Sequence, residues 1–211
     1  MGQDWTQLER ALFDPAGHPG RVAVAEAVRE LMRAVATTTA ATDDELGEVA
    51  GRLRQITAGI VAGDRCVRYP LPTGPFSGRV LGSGDPVFGM FNPVAGPLVV
   101  TIEPDGTAAG VLTPSPLFEG PGGAVHGGYT AFLVDAVMGT LLRALGISAL
   151  TGTLSVRYLA LTPLARPLHL SAWVESTDGR KVTAAARITV DGRPTVTATG
   201  LFIAAAGPAQ G

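Results

Sequence analysis

Apolar residues recur with two different periods along this chain, and the change of period divides it. From Arg21 onward they fall at Val24, Val28, Leu31, Met32 and Val35, the spacing of one helix face. Glu26 with Arg29, and Glu30 with Arg33, stand three apart and are placed to pair on its solvent side. A shorter amphipathic stretch, Trp5 to Phe13, comes first and is stopped by Asp14-Pro15. Thr42-Asp43-Asp44-Glu45 has the form of a capping box, in which the threonine oxygen takes an orphan N–H and the glutamate reaches back to the cap residue. The helix it opens is predicted to bury Leu46, Val49, Leu53, Ile56 and Ile60 and to end at Gly63. These helices carry a packing stripe and no cluster of reactive side chains. Their expected part is to cover something else.

Residues 64–96 read as a linker rich in glycine and proline, with Tyr69-Pro70, Leu71-Pro72, Gly74-Pro75 and Asp85-Pro86. Beyond it the period drops to two. Pro97 to Glu103 and Thr107 to Thr113 flank Asp105-Gly106, a hairpin signal. Within Leu150 to Leu161, Leu154, Val156 and Tyr158 alternate with Thr153, Ser155 and Arg157. Leu168, Leu170, Ala172 and Val174 then alternate with His169, Ser171, Trp173 and Glu175. Asp178-Gly179 leads into Lys181 to Val190, and Asp191-Gly192 into Thr195 to Ala205. Three Asp-Gly turns between alternating segments predict an antiparallel sheet.

One segment breaks the strand pattern. Gly127 to Leu145 is apolar almost all round and is followed by Gly146 as a stop, so it predicts a helix buried on nearly every side. At a rise of about 1.5 Å per residue it spans roughly 27 Å, enough to cross a sheet. The predicted fold class is α+β, in the order ββ-α-ββββ: a strongly curved antiparallel sheet wrapped around a central apolar helix. The expected division is 1–63 for an N-terminal helical extension, 64–96 for the linker, 97–205 for the α+β domain and 206–211 for a C-terminal tail.

Charge narrows the partners. Sixteen basic against 18 acidic residues give a net charge of −2, which excludes a nucleic-acid binder that works through a basic face. The single cysteine, Cys66, allows no internal disulfide and has no partner at metal-ligand spacing. No metal site is expected, and a reducing, cytoplasmic setting is. The N-terminus is polar and acidic rather than signal-like. The long uncharged run Pro86 to Ile102 holds three prolines, so no membrane span is expected there.

Two features carry chemistry. Asp135 stands in the apolar helix between Val134 and Ala136, where a carboxylate is costly unless hydrogen-bonded or paired. A structural pairing and a functional role fit that isolation equally well. Gly120-Pro121-Gly122-Gly123-Ala124-Val125-His126-Gly127-Gly128 runs into the helix start, where free N–H groups and partial positive charge suit an anion or an oxyanion. Gly127 and Gly128 let a ligand carbonyl approach the backbone. His126 alone reads as structural. Asp135 follows it by nine residues, so loop donors and carboxylate are placed to bracket one reacting carbon if a substrate lies along the helix.

Val125-His126-Gly127-Gly128 with Asp135, then Thr151-Gly152-Thr153-Leu154-Ser155-Val156-Arg157-Tyr158 and Gly179-Arg180-Lys181, resembles the hotdog-fold acyl-CoA thioesterases. The resemblance is to the PaaI-like branch and its THEM-like relatives. Asn92-Pro93, Gly96-Pro97-Leu98 and Phe118-Glu119-Gly120-Pro121 add to it, over about residues 86–205. It implies a hotdog fold and hydrolysis of acyl-CoA or acyl-carrier-protein thioesters, with no cofactor beyond the coenzyme A of the substrate. Asp135 is implied as the carboxylate that activates water or attacks directly. The Gly127 N–H is implied as the oxyanion donor, with His126 shaping the loop and Thr151 orienting water from a partner subunit. Gly128 and Arg157 join the implied substrate-binding set, and Arg180 with Lys181 the cations that hold coenzyme A phosphates. A homodimer or dimer of dimers is implied.

There are departures from that pattern. Many relatives place an asparagine or glutamine six residues before the histidine, where this chain has Gly120. The first 65 residues have no counterpart in the minimal fold and are placed to cover the sheet or restrict the acyl pocket. The competing reading is a non-catalytic hotdog domain that binds an acyl or other hydrophobic ligand. A dehydratase fits less well, since it needs a histidine–carboxylate pair at another spacing.

Overall fold

Pro19, with its preset φ, opens helix α1 (Pro19–Thr37), and Thr42 opens α2 (Asp43–Ala58). The computed structural model describes residues 17–60, 78–79, 87, 89–96 and 98–205. The stretch Trp5 to Phe13, most of the 64–96 linker with Cys66, the stop at Gly63 and the 206–211 tail lie outside the described residues. The capping box forms as read: Thr42 N–H donates to Glu45 Oε2 at 2.8 Å, and Glu45 N–H to Thr42 Oγ1 at 3.4 Å. α2 ends at Ala58, where the Gly59 N–H turns back to Ile56 O at 3.1 Å.

The apolar stripes of these two helices are not buried as expected. Leu46, Val49, Ile56 and Ile60 are exposed, as are Val24 and Val35, and α2 buries no residue. The expected surface pairs are absent among the described residues, and in the first of them Arg29 turns inward instead. Its guanidinium donates to the carbonyls of Ala95 at 3.1 Å, Met90 at 3.0 Å and Asn92 at 3.2 Å. Three charge-assisted hydrogen bonds fix the roll of α1 more firmly than a partial apolar stripe does. The inward face is therefore Ala25, which is buried, with Val28, Arg29 and Met32 half-buried.

The sheet follows the alternation closely. Its strands are β1 (Gly78–Arg79), β2 (Val99–Ile102), β3 (Ala108–Leu112), β4 (Ala149–Tyr158), β5 (Leu168–Asp178), β6 (Lys181–Val190) and β7 (Arg193–Ala204). They lie in the order β1-β2-β3-β5-β6-β7-β4, every pair antiparallel. β1 is the one strand not anticipated, two residues of the expected linker paired to β2. The three Asp-Gly turns fall where predicted. At Asp191-Gly192 both φ values are positive, +50° and +77°, as a tight hairpin turn requires.

The central helix, α3 (Gly127–Ala144), crosses one face of this sheet. Gly146, at φ +78°, stops it: its N–H donates to Arg143 O at 2.9 Å and the Ile147 N–H to Leu142 O at 2.8 Å. Leu133, Val134, Val137, Met138 and Leu141 are fully buried against Val100, Leu168, Ile188 and Val196 of the strands. Each such side chain contributes about 1.5–3 kcal/mol by leaving water. Gly200 lets the layers close, since a Cβ there would stand 2.5 Å from the Phe202 ring and 3.2 Å from Met138 Cε. The result is an antiparallel sheet curved around one helix, with an N-terminal helical region stapled to its flank.

Candidate active site

The first half of the site depends on an irregularity in β4. Thr151 pairs with Phe202 and Thr153 with Leu201, which leaves Gly152 as an extra, bulged residue. Directly paired residues share a face, and Phe202 lies in the core, so the bulge turns Thr151 toward α3. Strict alternation places it outside with Thr153. From there the Thr151 hydroxyl donates to Asp135 Oδ1 at 2.9 Å. Asp135 is half-buried rather than enclosed, and its Oδ2 accepts no hydrogen bond among the described residues.

The second half is the start of α3. His126 is the N-cap and is exposed, and its Nδ1 accepts the Gly128 N–H at 3.0 Å. The loop before it is pinned by His126 N–H to Phe118 O at 2.8 Å and Val125 N–H to Thr162 O at 2.8 Å. The Gly127 carbonyl accepts the Tyr158 hydroxyl at 3.0 Å and the Thr130 hydroxyl at 2.8 Å. With Gly128 committed to the cap, the Gly127 N–H is left without a partner among the described residues. A Cβ on Gly127 would lie 3.2 Å from the Tyr158 ring, so the approach to that N–H is narrow. A free donor at a helix N-terminus suits a developing oxyanion.

Within one chain the two halves stand apart. Gly127 and Asp135 are eight residues apart on the helix, about 12 Å of rise. A reacting carbon must lie about 3–3.5 Å from its attacking group, so the expected bracketing of one carbon along a single helix does not hold. The cations sit with the carboxylate half. Thr151 pairs with Phe202, and Phe202 with Val182, which puts Arg180 and Lys181 at the same sheet end, roughly two strand spacings away. Arg180 Nε donates to Ala204 O at 2.9 Å, and both cations are exposed. Arg157, also exposed, lies at the other end of β4 beside Tyr158.

Comparison with known proteins gives this arrangement a context. The family model described as "Thioesterase superfamily" matches residues 122–197. A crystal structure of a thioesterase superfamily protein is 32% identical, with a TM-score of 0.76 over 87% of this chain and 90% of that one. The chain belongs to the thioesterase superfamily. A hypothetical thioesterase protein from Streptococcus pneumoniae TIGR4, solved with coenzyme A, is 23% identical over 50% of this chain and 83% of its own, with a TM-score of 0.47. Zebra fish thioesterase superfamily member 2 is 17% identical over 51% of this chain and 80% of its own, with a TM-score of 0.47.

The hotdog thioesterase fold expected from the sequence is thus the fold observed. The superfamily match spans His126, Gly127, Gly128, Asp135, Thr151, Arg157, Arg180 and Lys181. Two residues outside the expected set belong to the site's frame. Tyr158 anchors the Gly127 carbonyl, and Arg29 fixes the extension. Tyr158 was visible as the one aromatic at the end of its strand pattern. Arg29 gave no such signal, being one arginine among several on α1. Among the described residues no helix is long and apolar enough to cross a membrane.

Proposed function

We propose that this protein hydrolyses acyl thioesters of coenzyme A or of an acyl carrier protein, in the cytoplasm, with a site completed by a second copy of the chain. The observation that carries the reading is the Asp135 carboxylate, turned by the Thr151 hydroxyl and left with one oxygen free. β4 is an edge strand with nothing paired to its outer side among the described residues. If two copies join antiparallel along β4 about a two-fold axis near Leu154 and Ser155, Thr151 of one copy lies beside Tyr158 of the other. Asp135 of one copy then faces the Gly127 N–H of its partner. Such closed two-fold pairing also covers the open edge.

In this reading Asp135 takes a proton from water as the water oxygen attacks the thioester carbonyl carbon. The oxyanion rests on the Gly127 N–H, the C–S bond breaks, and the proton passes to the leaving sulfur. A direct attack by Asp135, with an anhydride that water then opens, uses the same groups. Arg180 and Lys181 are exposed cations suited to phosphate, and Arg157 adds a third on the β4 edge. The test is hydrolysis of a panel of acyl-CoA and acyl-carrier-protein thioesters by wild type and Asp135→Asn. Turnover by wild type and its loss in the variant support the reading. Binding of acyl ligands with no turnover by wild type replaces it with a non-catalytic binding domain.

A further inference from the structure

Between α1 and the loops that lead into α3 lies a cleft of about 590 Å³. Its floor is apolar, formed by Val94, Ala95, Pro116, Leu117 and Phe118, and on the α1 side Met32 stands among Glu26, Arg29, Glu30 and Arg33. That volume falls in the range of small-molecule pockets, and its lining has their character. The cleft backs directly onto the helix start. Phe118 O accepts the His126 N–H at 2.8 Å, and the Phe118 ring stacks on Tyr129 with centroids 3.7 Å apart. A residue that lines the cleft is thus bonded directly to the one that precedes Gly127. The outer wall is supplied by the extension and held there by the three Arg29 hydrogen bonds.

We propose that this cleft receives the acyl group of the thioester, an uncharged, extended aliphatic chain rather than acetyl, and that Met32 of α1 with Val94 sets the chain length accepted. The inference rests on the thioesterase reading above and goes beyond it in naming the acyl class and the segment that selects it. Burial of methylenes against a fixed wall discriminates length, because a chain too long for the recess must leave apolar surface in water. Arg29 acts here as a positioning residue, since its guanidinium is occupied by loop carbonyls.

The experiment measures kcat/KM for acetyl-, butyryl-, hexanoyl-, octanoyl- and decanoyl-CoA with the full chain, wild type against Met32→Trp and Val94→Trp. Val94 is exposed, so at least the second variant is expected to fold. Calorimetric binding of decanoate to the same three proteins gives a readout independent of hydrolysis. Filling the cleft is expected to lower octanoyl- and decanoyl-CoA turnover roughly tenfold or more relative to butyryl-CoA. Decanoate binding is expected to weaken in parallel. Profiles parallel to wild type in both variants, or decanoate affinity unchanged, overturn the acyl assignment and leave hydrolysis standing. Decanoate binding that both tryptophans weaken, in a wild type that cleaves no thioester, supports the cleft and overturns the hydrolytic reading instead. Absence of decanoate binding by wild type overturns the cleft assignment.

Discussion

Asp135 has one oxygen on the Thr151 hydroxyl and the other unpartnered among the described residues, which is how a carboxylate is held in orientation and kept available. Asp135→Asn keeps the shape and removes the proposed base, and general-base contributions are typically about 10²–10⁴-fold, so kcat is expected to fall by at least that order. Steady-state kinetics on whichever thioester wild type prefers checks this, and equal turnover in a folded variant refutes the assignment. Tyr129 is the opposite case, a polar group with no use visible in its contacts. Its hydroxyl is buried without a partner among the described residues, tucked where Gly96 lacks a side chain, and burial pushes its pKa up to about 12. A phenol raised in the fold above its ordinary value near 10 supports stability fully below pH 10 and loses that support as pH climbs toward 12. Tyr129→Phe removes an unsatisfied hydroxyl, so thermal melts at pH 8 are expected to show no loss of stability, and melts at pH 9 and 11 a smaller alkaline decline than wild type. Asp135 was legible in the sequence because a charge in an apolar helix stands out. The isolation of the Tyr129 hydroxyl was not, since it depends on which atoms happen to surround it.

At the level of elements, local chemistry was read well where a short segment decides its own geometry. The Asp-Gly turns, the Thr42–Glu45 box and the Gly146 stop each satisfy backbone groups within a few residues of themselves. What failed depended on distant partners. Arg29 reaches carbonyls more than sixty residues away and rolls α1 off its apolar stripe, and no periodicity encodes that. Nor does alternation show that the Gly152 bulge, set by the register on β7, turns Thr151 to the inner face. Thr151→Val removes the hydroxyl that turns the Asp135 carboxylate and is expected to reduce turnover, whereas Thr151→Ser, which keeps a hydroxyl, is expected to retain most of it. Kinetics on the two variants test the hydroxyl, and equal turnover in both argues against its part in orienting Asp135. The helix start has a comparable test. His126→Asn preserves an N-cap acceptor and His126→Ala does not, and loss of a cap costs about 0.5–2 kcal/mol. Urea melts are expected to rank wild type with Asn above Ala.

At the scale of the whole molecule, the unpaired side of β4 and its flanks expose large apolar residues: Leu150 at 81%, Leu161 at 73% and Tyr158 at 55%. An edge strand bearing such residues is a liability in a monomer and an asset in a pair. The same strand separates the Asp135–Thr151 pair at one end from the Gly127–Tyr158 contact at the other. In the proposed dimer, joining two copies antiparallel along β4 brings unlike ends together, so one pairing would cover the edge and complete the site. Mixing inactive variants tests that directly. Asp135→Asn damages the carboxylate half, and Gly127→Val, whose side chain crowds Tyr158, damages the donor half. Coexpressed in equal amounts, the two chains form mixed dimers half the time, and each mixed dimer holds one site with both halves intact. Activity is then expected to return to roughly a quarter of wild type, by the statistics of a two-fold dimer. If each chain carries a whole site, every site in the mixture is damaged and no activity returns. Recovery in the mixture, with neither variant active alone, is the outcome the shared site requires.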